Sequence, residues 1–285
     1  MELPAEVHEL IRMALAEDVG PGDVTVRYFV PAGARASAVI LAKEPGVLAG
    51  VAVAEAVFRA VDPGLVVRAR KADGDTLAVR EVVLEISGPA GSILTAERTA
   101  LNFLQRLSGI ATQTAAYVRA VAGSGTQILD TRKTTPGWRW LEKAAVRAGG
   151  GTNHRTGLYD MAMVKDNHLP GAGGLAGLQA GIHALKRAQP GVKVALEADT
   201  VDQVKGFLTL EGLSFILLDN MSLEAMRECV ALGKGSGIKL EASGGITLER
   251  LPQIAATGVD FISSGALTHS VKALDLSLDF SGTGF

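Results

Sequence analysis

From residue 126 onward, apolar strand-like segments alternate with amphipathic helix-like segments, and this alternation restricts the fold more than any other feature. The pattern predicts six strands, at 126–130, 161–166, 193–199, 215–220, 238–245 and 259–265. Glu197, Asp219 and Glu241 recur every 22 residues, which is the length of one short βα unit. Such alternation is typical of a parallel sheet with helices outside it.

Nearly every predicted strand stays apolar until its last one or two residues and then ends in a charged or glycine-rich group. In a parallel α/β barrel these ends meet at one rim, where active sites lie. An open doubly wound sheet would also gather its ligands at strand ends. The short, even units favour the barrel, and no GxGxxG motif follows a predicted strand, which argues against a dinucleotide-binding fold.

The first part of the chain, up to about residue 92, has a different pattern. A helix is predicted at 4–17 and another at 51–61, between segments rich in β-formers. This pattern indicates a small sheet with one or two helices. A long helical segment is then predicted to start at Thr95, with Thr95 as its N-cap.

The overall charge excludes some classes of partner. The net charge is -2, from 28 basic and 30 acidic residues, so nucleic-acid binding through general electrostatics is not expected. The N-terminus lacks the basic start and apolar core of a signal peptide, and the longest apolar run is too short to span a membrane. A single cysteine, Cys229, allows no intrachain disulfide. We therefore expect a soluble, cytoplasmic protein.

Cationic side chains cluster around the first two predicted strand ends. Arg132 and Lys133 follow the first strand, His154 and Arg155 precede the second, and Lys165 lies near the end of the second. Helix caps and surface ion pairs would explain any one of these residues. Their convergence on one rim favours a pocket for a ligand with several carboxylates or phosphates.

Acidic and glycine-rich groups end the later strands. Glu197 and Asp219 could neutralise the cations, bind sugar hydroxyls or hold a divalent metal. No His or Cys spacing typical of structural zinc appears. The segments 241–247 and 263–268 favour phosphate binding as a pair, although a tight turn explains either alone equally well. A lysine at a strand end could instead form a Schiff base.

Several motifs together resemble one family over nearly the whole chain. They are EDVGPGDVT, ERTALNFLQRLSGIAT, LDTRKTTPGWR, NHRTGLYDMAMVKDNH, LEAD, LLDN, EASGGIT and ALTHSVKALDLSLDF. This set resembles the quinolinate phosphoribosyltransferase family, the carboxylating nicotinate-nucleotide pyrophosphorylases, which are type II phosphoribosyltransferases.

The resemblance implies an activity and a fold. Quinolinate would react through its ring nitrogen with phosphoribosyl pyrophosphate (PRPP), releasing pyrophosphate and CO2 and giving nicotinate mononucleotide for NAD biosynthesis. The expected fold has an N-terminal α/β sandwich domain at 1–105, joined by the tail 268–285, and an irregular, incomplete parallel α/β barrel at 106–267. The expected assembly is a homodimer or a multiple of dimers, with Arg98 reaching the neighbouring site.

The resemblance also implies roles for individual residues. Arg98, Arg132, His154 and Arg155 would clamp the quinolinate carboxylates, and the catalytic set would be Lys133, Lys165, Glu197 and Asp219. Mg2+ would enter with PRPP, with Glu197 and Asp219 as its protein ligands. The full substrate-binding set would be Arg98, Thr131, Arg132, Lys133, His154, Arg155, Lys165, Glu197, Asp219, Ser243, Gly244, Gly245, Ser264 and Gly265.

Three alternatives stay open at this point. One is a paralogue of the family that occurs in molybdenum operons and acts on another substrate. The complete set of cationic residues in this sequence favours quinolinate instead. A Schiff-base lyase would be revealed by borohydride trapping. A sugar-phosphate sensor without enzymatic activity would fail a turnover assay.

Overall fold

A computed structural model describes residues 3–165, 171 and 173–281. The described residues form two compact units. The first comprises those within Met1–Ala115, Thr135–Gly150 and Ser270–Phe285, and the second those within Ala116–Thr134 and Gly151–His269.

The first unit is built on antiparallel strands. The strands are β1 (Arg35–Ala42), β2 (Gly46–Val47), β3 (Val66–Ala69), β4 (Thr76–Leu77), β5 (Val82–Pro89) and β12 (Leu276–Phe280). The main sheet has four of them in the order β12-β1-β5-β3, and β2 pairs with β4 in a separate small sheet. The helices are α1 (Ala5–Val19), α2 (Val24–Phe29), α3 (Val51–Val61), α4 (Ala90–Ala120, which continues into the second unit) and α5 (Arg139–Ala148). Ile40, Phe58, Leu84 and Phe103 are buried in its core.

The long helix α4 starts earlier than the sequence pattern predicts. It begins at Ala90, directly after β5, so the prediction of Thr95 as N-cap was wrong. The Gly88–Pro89 pair ends the strand, and proline is well tolerated next to a helix start because a missing N–H costs nothing there. Thr95 lies inside the helix, and its hydroxyl donates to Asp23 Oδ2 at 3.2 Å.

Helix α5 lies within the range predicted for the barrel but belongs to the first unit. A buried carboxylate fixes it there. Glu142 accepts hydrogen bonds from the Thr135 hydroxyl at 2.8 Å and from Arg106 Nη2 at 3.4 Å. The compact units therefore divide the chain differently from the predicted boundary at 105/106.

The second unit is a parallel α/β structure. Its strands are β6 (Gln127–Leu129), β7 (Met161–Val164), β8 (Lys193–Ala198), β9 (Phe215–Asp219), β10 (Lys239–Ser243) and β11 (Phe261–Ser263). Its helices are α6 (Gly174–Ala188), α7 (Val201–Phe207), α8 (Leu223–Gly233), a 3-10 turn (Leu248–Arg250), α9 (Leu251–Ala255) and α10 (Ala266–His269). Apolar residues such as Leu196, Ile216 and Ile262 are buried along the strands.

The six strands form one parallel sheet in the order β6-β11-β10-β9-β8-β7. Within the described part of the chain no strand pairing joins β7 back to β6, as expected of an incomplete barrel. Together with the separate antiparallel sheet, this arrangement confirms the predicted fold class. None of the helices in the described ranges combines the length and the apolar composition needed to cross a bilayer.

Candidate active site

A cavity of about 780 Å³ lies at the carboxyl ends of the parallel strands. All the predicted substrate-binding residues except Arg98 line it. These are Thr131, Arg132, Lys133, His154, Arg155, Lys165, Glu197, Asp219, Ser243, Gly244, Gly245, Ser264 and Gly265. The structure therefore brings together side chains that are more than 100 residues apart in the sequence.

The loop that carries Arg132 and Lys133 is fixed by short-range contacts. The Thr131 hydroxyl accepts the Lys133 backbone N–H at 3.0 Å, which closes a tight turn after β6. The buried Thr268 hydroxyl donates to the Lys133 carbonyl oxygen at 2.7 Å. These bonds hold the main chain, while the Lys133 side chain remains exposed.

The second cationic loop is anchored to the end of β6 by a buried acid. Asp130 is fully buried and accepts the Asn153 side-chain amide at 2.6 Å and the His154 backbone N–H at 2.8 Å. A parallel bridge between Leu129 and Thr152 adds to this attachment. As a result, His154 and Arg155 line the same cavity as Arg132.

Arg155 lies in an electropositive environment. Its Nη1 donates to the Met161 carbonyl oxygen at 3.1 Å. Burial, and then the neighbouring charge of Arg132, lower the pKa of the Arg155 guanidinium. Arginine nonetheless stays protonated in proteins, so the two like charges make this part of the cavity attractive to an anion.

Carboxylates occupy the middle strands. The β-sheet register places Glu197 and Glu241 on either side of Leu217, in one row across β8, β9 and β10. Asp219 lies two residues further along β9, paired with Ser243. Glu197 Oε2 accepts a hydrogen bond from Lys165 Nζ at 2.8 Å, so these two predicted site residues form an ion pair.

The turns after β10 and β11 bring main chain to the cavity. Gly244 has φ +86°, a conformation that favours glycine, and a Cβ there would lie 2.3 Å from Asn220 Oδ1, so a larger residue would be strained and would displace the Asn220 side chain. At Gly265 a Cβ would lie 2.8 Å from Lys133 Cδ. The buried Ser264 donates its N–H to the Leu129 carbonyl oxygen at 3.0 Å, which ties this turn to β6.

Five polar residues of the site were not included in the predicted set. Glu241, Asn220, Ser263 and His269 line the cavity, and Asp130 anchors the loop that carries His154. Glu241 shares the interval of 22 residues with Glu197 and Asp219, so the sequence held a signal for it. His269 lies on α10 within the family segment ALTHSVKALDLSLDF, but no role was predicted for it.

Three predicted features are placed elsewhere or not described. Arg98 lies on α4 in the first unit with an exposed side chain, 3.9 Å from Glu97, and is not among the described residues that line the cavity. Asp166 of the predicted second strand and His168 of the family motif lie outside the described residues.

Among the residues that the structure describes, no group of three His, Cys, Asp or Glu side chains could hold a metal ion.

The second unit is a parallel α/β structure whose strand ends carry guanidinium groups, ammonium groups and glycine turns. Proteins of this class are suited to bind polyanionic small molecules. The chain belongs to the quinolinate phosphoribosyl transferase family. Residues 23–108 match the sequence profile of the family's N-terminal domain, and residues 110–279 match that of its C-terminal domain.

Relatives in several organisms are similar over most of their length. A Bacillus subtilis protein named as a probable carboxylating nicotinate-nucleotide pyrophosphorylase is 44% identical over 96% of this chain and 93% of its own. A chloroplastic carboxylating nicotinate-nucleotide pyrophosphorylase of Arabidopsis thaliana is 44% identical over 96% of this chain and 82% of its own. The solved nicotinate-nucleotide pyrophosphorylase of Francisella tularensis has a TM-score of 0.91 at 36% identity and covers 98% of both chains.

Proposed function

We propose that this protein is an enzyme that transfers the phosphoribosyl group of PRPP to the ring nitrogen of quinolinate. Pyrophosphate leaves, the 2-carboxylate is lost as CO2, and nicotinate mononucleotide is formed for NAD biosynthesis. One observation carries the proposal: a single cavity holds a cluster of cationic side chains, two glycine turns and three carboxylates of the middle strands.

The cationic cluster suits the dicarboxylate substrate. Quinolinate carries two carboxylates on adjacent ring carbons, and Arg132 and Arg155 can each present a guanidinium fork to such a group. The lowered pKa of Arg155, caused by burial and by Arg132, indicates that the two guanidinium groups repel each other without an anion. Binding of a dianion would relieve that repulsion, and Lys133 and Lys165 would contact further carboxylate or phosphate oxygens.

The glycine turns suit the 5′-phosphate of PRPP. At Gly244, Gly245 and Gly265 the main chain borders the cavity with no side chain to keep a ligand away. Ser243 and Ser264 add hydroxyl groups beside these turns. Barrel proteins commonly bind phosphate with the loops of their last two strands, and β10 and β11 are the last two strands of this sheet in chain order.

The acids between these two groups suit the reacting sugar. Positive charge develops at the ribosyl carbon as pyrophosphate leaves, and Glu197 and Asp219 would stabilise that charge and accept hydrogen bonds from the ribose hydroxyls. Lys165 would hold Glu197 in place through their 2.8 Å bond until the substrate binds.

Mg2+ belongs to the proposal as a partner of PRPP. Carboxylate oxygens are the protein ligands that Mg2+ prefers, and Glu197 and Asp219 offer them on neighbouring strands. With only two such carboxylates, most of the coordination would come from phosphate oxygens and water. When bound, the ion would neutralise charge on the pyrophosphate leaving group.

The proposal includes a homodimer in which Arg98 completes the neighbouring site. Within the described ranges the exposed Arg98 side chain has only a 3.9 Å ion pair with Glu97, which supports its contact with a ligand on another chain. Mixing Arg98→Ala and Arg155→Ala subunits tests this. If the sites are shared, about half of the dimers become heterodimers with one intact site each, and activity recovers to roughly a quarter of wild type. Confirmed subunit exchange without recovery would mean that Arg98 serves its own chain.

The activity is tested by supplying quinolinate labelled in its 2-carboxylate, PRPP and Mg2+. The expected result is equimolar release of labelled CO2, pyrophosphate and nicotinate mononucleotide. Omission of PRPP and addition of borohydride are the controls, since a Schiff-base lyase would need no PRPP and would be trapped. Absence of nicotinate mononucleotide with folded protein would reject the proposal.

A further inference from the structure

Glu241 is a buried acid in the cavity that the proposed reaction leaves without a role. It lies on β10, is 1% exposed and faces the same cavity as Glu197. Burying a carboxylate is costly unless it is paired or hydrogen-bonded. Its Oε2 lies 3.2 Å from His154 Nε2, while its Oε1 accepts no hydrogen bond from any described residue.

The other nitrogen of the His154 ring decides where the ring proton lies. His154 Nδ1 is 2.7 Å from the backbone nitrogen of Arg155, in hydrogen-bond geometry. A backbone N–H can only donate, so Nδ1 must accept and carries no proton. With Nδ1 as the acceptor, a neutral ring has its proton on Nε2, 3.2 Å from Glu241 Oε2, which can accept it.

Two buried acids thus hold the segment that leads to Arg155. Asp130, at the end of β6, accepts the His154 backbone N–H at 2.8 Å, and Glu241, on β10, accepts the ring N–H. The ring in turn accepts the Arg155 backbone N–H. If the Glu241 bond is lost, the ring can turn and the peptide that carries Arg155 is no longer fixed.

We propose that Glu241 is a positioning residue that acts through the His154 ring to fix the main chain of Arg155, and so sets the affinity of the cavity for its dicarboxylate substrate. The identity of that substrate rests on the proposed function. His154 then links Glu241 to the main chain of Arg155. This role differs from the carboxylate contact that the family resemblance implies for the His154 side chain.

The test compares two substitutions of the same residue. Glu241→Gln keeps an oxygen that can accept the Nε2–H, whereas Glu241→Leu has a similar size and no acceptor. Binding of quinolinate is measured by calorimetry, which does not depend on turnover. We expect Glu241→Gln to bind within about threefold of wild type and Glu241→Leu to bind about tenfold more weakly, because a buried donor loses its partner.

A second His–Glu pair provides the matched control. His183 Nε2 and Glu211 Oε2 lie 3.8 Å apart on the surface of the same unit. Glu211→Leu should leave quinolinate affinity unchanged. Equal binding by wild type and Glu241→Leu would overturn the proposal, and so would equal weakening by both Glu241 variants, since the hydrogen bond would then not matter.

The tautomer of His154 is measured independently in the wild-type protein. In a protein labelled with 15N-histidine, with the signal assigned by its loss in His154→Gln, we expect a neutral ring protonated on Nε2. A ring protonated on Nδ1, or on both nitrogens near neutral pH, would overturn the proposal even if Glu241→Leu failed to fold. A protein with the expected tautomer that binds no quinolinate would reject the proposed substrate and leave the positioning role of Glu241 standing.

Discussion

The cavity has two regions that meet a ligand in different ways. Around β6 and β7, long side chains such as Arg132, Arg155 and Lys165 provide charge. After β10 and β11, glycine turns provide main chain, with Gly244 held at φ +86° against Asn220. Charged side chains can change rotamer to fit a ligand, whereas the backbone of a glycine turn is conformationally constrained.

The two regions therefore recognise different features of a ligand. The cationic region discriminates by the number and position of negative charges, because a missing carboxylate leaves a guanidinium without its partner. The glycine region discriminates by shape, because any added atom fills the space next to the backbone. We therefore assign quinolinate to the cationic region and the phosphoribosyl group to the glycine region. Three substitutions test this assignment, and a fourth tests the loop beside the cationic region.

The largest effect is expected for Arg155→Ala. Truncating one partner of a desolvated charge pair should lower kcat/KM for quinolinate about 10³-fold, while the KM for PRPP changes little. Arg155→Lys should fall in between, because lysine keeps the charge without the guanidinium fork. Arg227→Ala, on the exposed face of α8, is the control. A loss that appears mainly in the KM for PRPP would break the assignment of the cationic region.

A smaller effect is expected for Asp219→Asn, between the two regions. Loss of the negative charge near the ribosyl carbon should lower kcat about 10²-fold and leave quinolinate affinity almost intact. Steady-state kinetics and quinolinate binding by calorimetry separate the two effects. Unchanged kcat with weakened quinolinate binding would place Asp219 with the dicarboxylate substrate instead.

Gly244→Ala tests the glycine region. The new Cβ would meet Asn220 Oδ1 at 2.3 Å, so we expect the KM for PRPP to rise about tenfold, with little change for quinolinate. Gly235 has a similar φ of +84° and no described atom within 4 Å of an added Cβ. Gly235→Ala therefore has the same backbone strain without the contact. If both variants behave alike in the assay, strain and not the shape of the cavity is responsible.

The smallest effect concerns the loop that follows Arg155. Burial would raise the pKa of Asp160, but hydrogen bonds from the Thr156 and Gly157 backbone N–H groups outweigh it and lower the pKa. The folded pKa lies below the unfolded one, so these bonds stabilise the loop above about pH 4 and are lost as the pH falls through the folded pKa.

Hydrogen exchange tests this prediction. In Asp160→Asn, the Thr156 and Gly157 amides should exchange about fivefold faster than in wild type near neutral pH. The difference should shrink in acid. A difference that persists below the folded pKa would mean that the carboxylate charge does not hold the loop.

The sequence predicted the elements of the second unit well because helix and strand periods are local signals. All six strands predicted from residue 126 onward are present, as β6 to β11. The sequence did not predict the register. Glu197 and Asp219 are spaced as equivalents, yet Glu197 pairs with Leu217, because packing and not chain length sets how neighbouring strands align.

The candidate site was predictable where strand ends carry unusual residues, and less so where distant residues meet. The interval of 22 residues pointed to Glu241 in the sequence. Its partner His154 lies 87 residues away, and no local sequence pattern connects the two residues. The same holds for Glu142, whose bond to Arg106 draws α5 into the first unit. Long-range polar pairs of this kind depend on the folded backbone, so one sequence does not reveal them.

The decisive experiment compares quinolinate with nicotinate as substrates of the wild-type protein, with saturating PRPP and Mg2+. Nicotinate lacks the 2-carboxylate, so part of the cationic region would be left without a partner. A site built for a buried charge should discriminate by about 10⁴-fold in kcat/KM. That result would support recognition of both carboxylates by Arg132, Arg155 and their neighbours. Comparable turnover of the two substrates would contradict it.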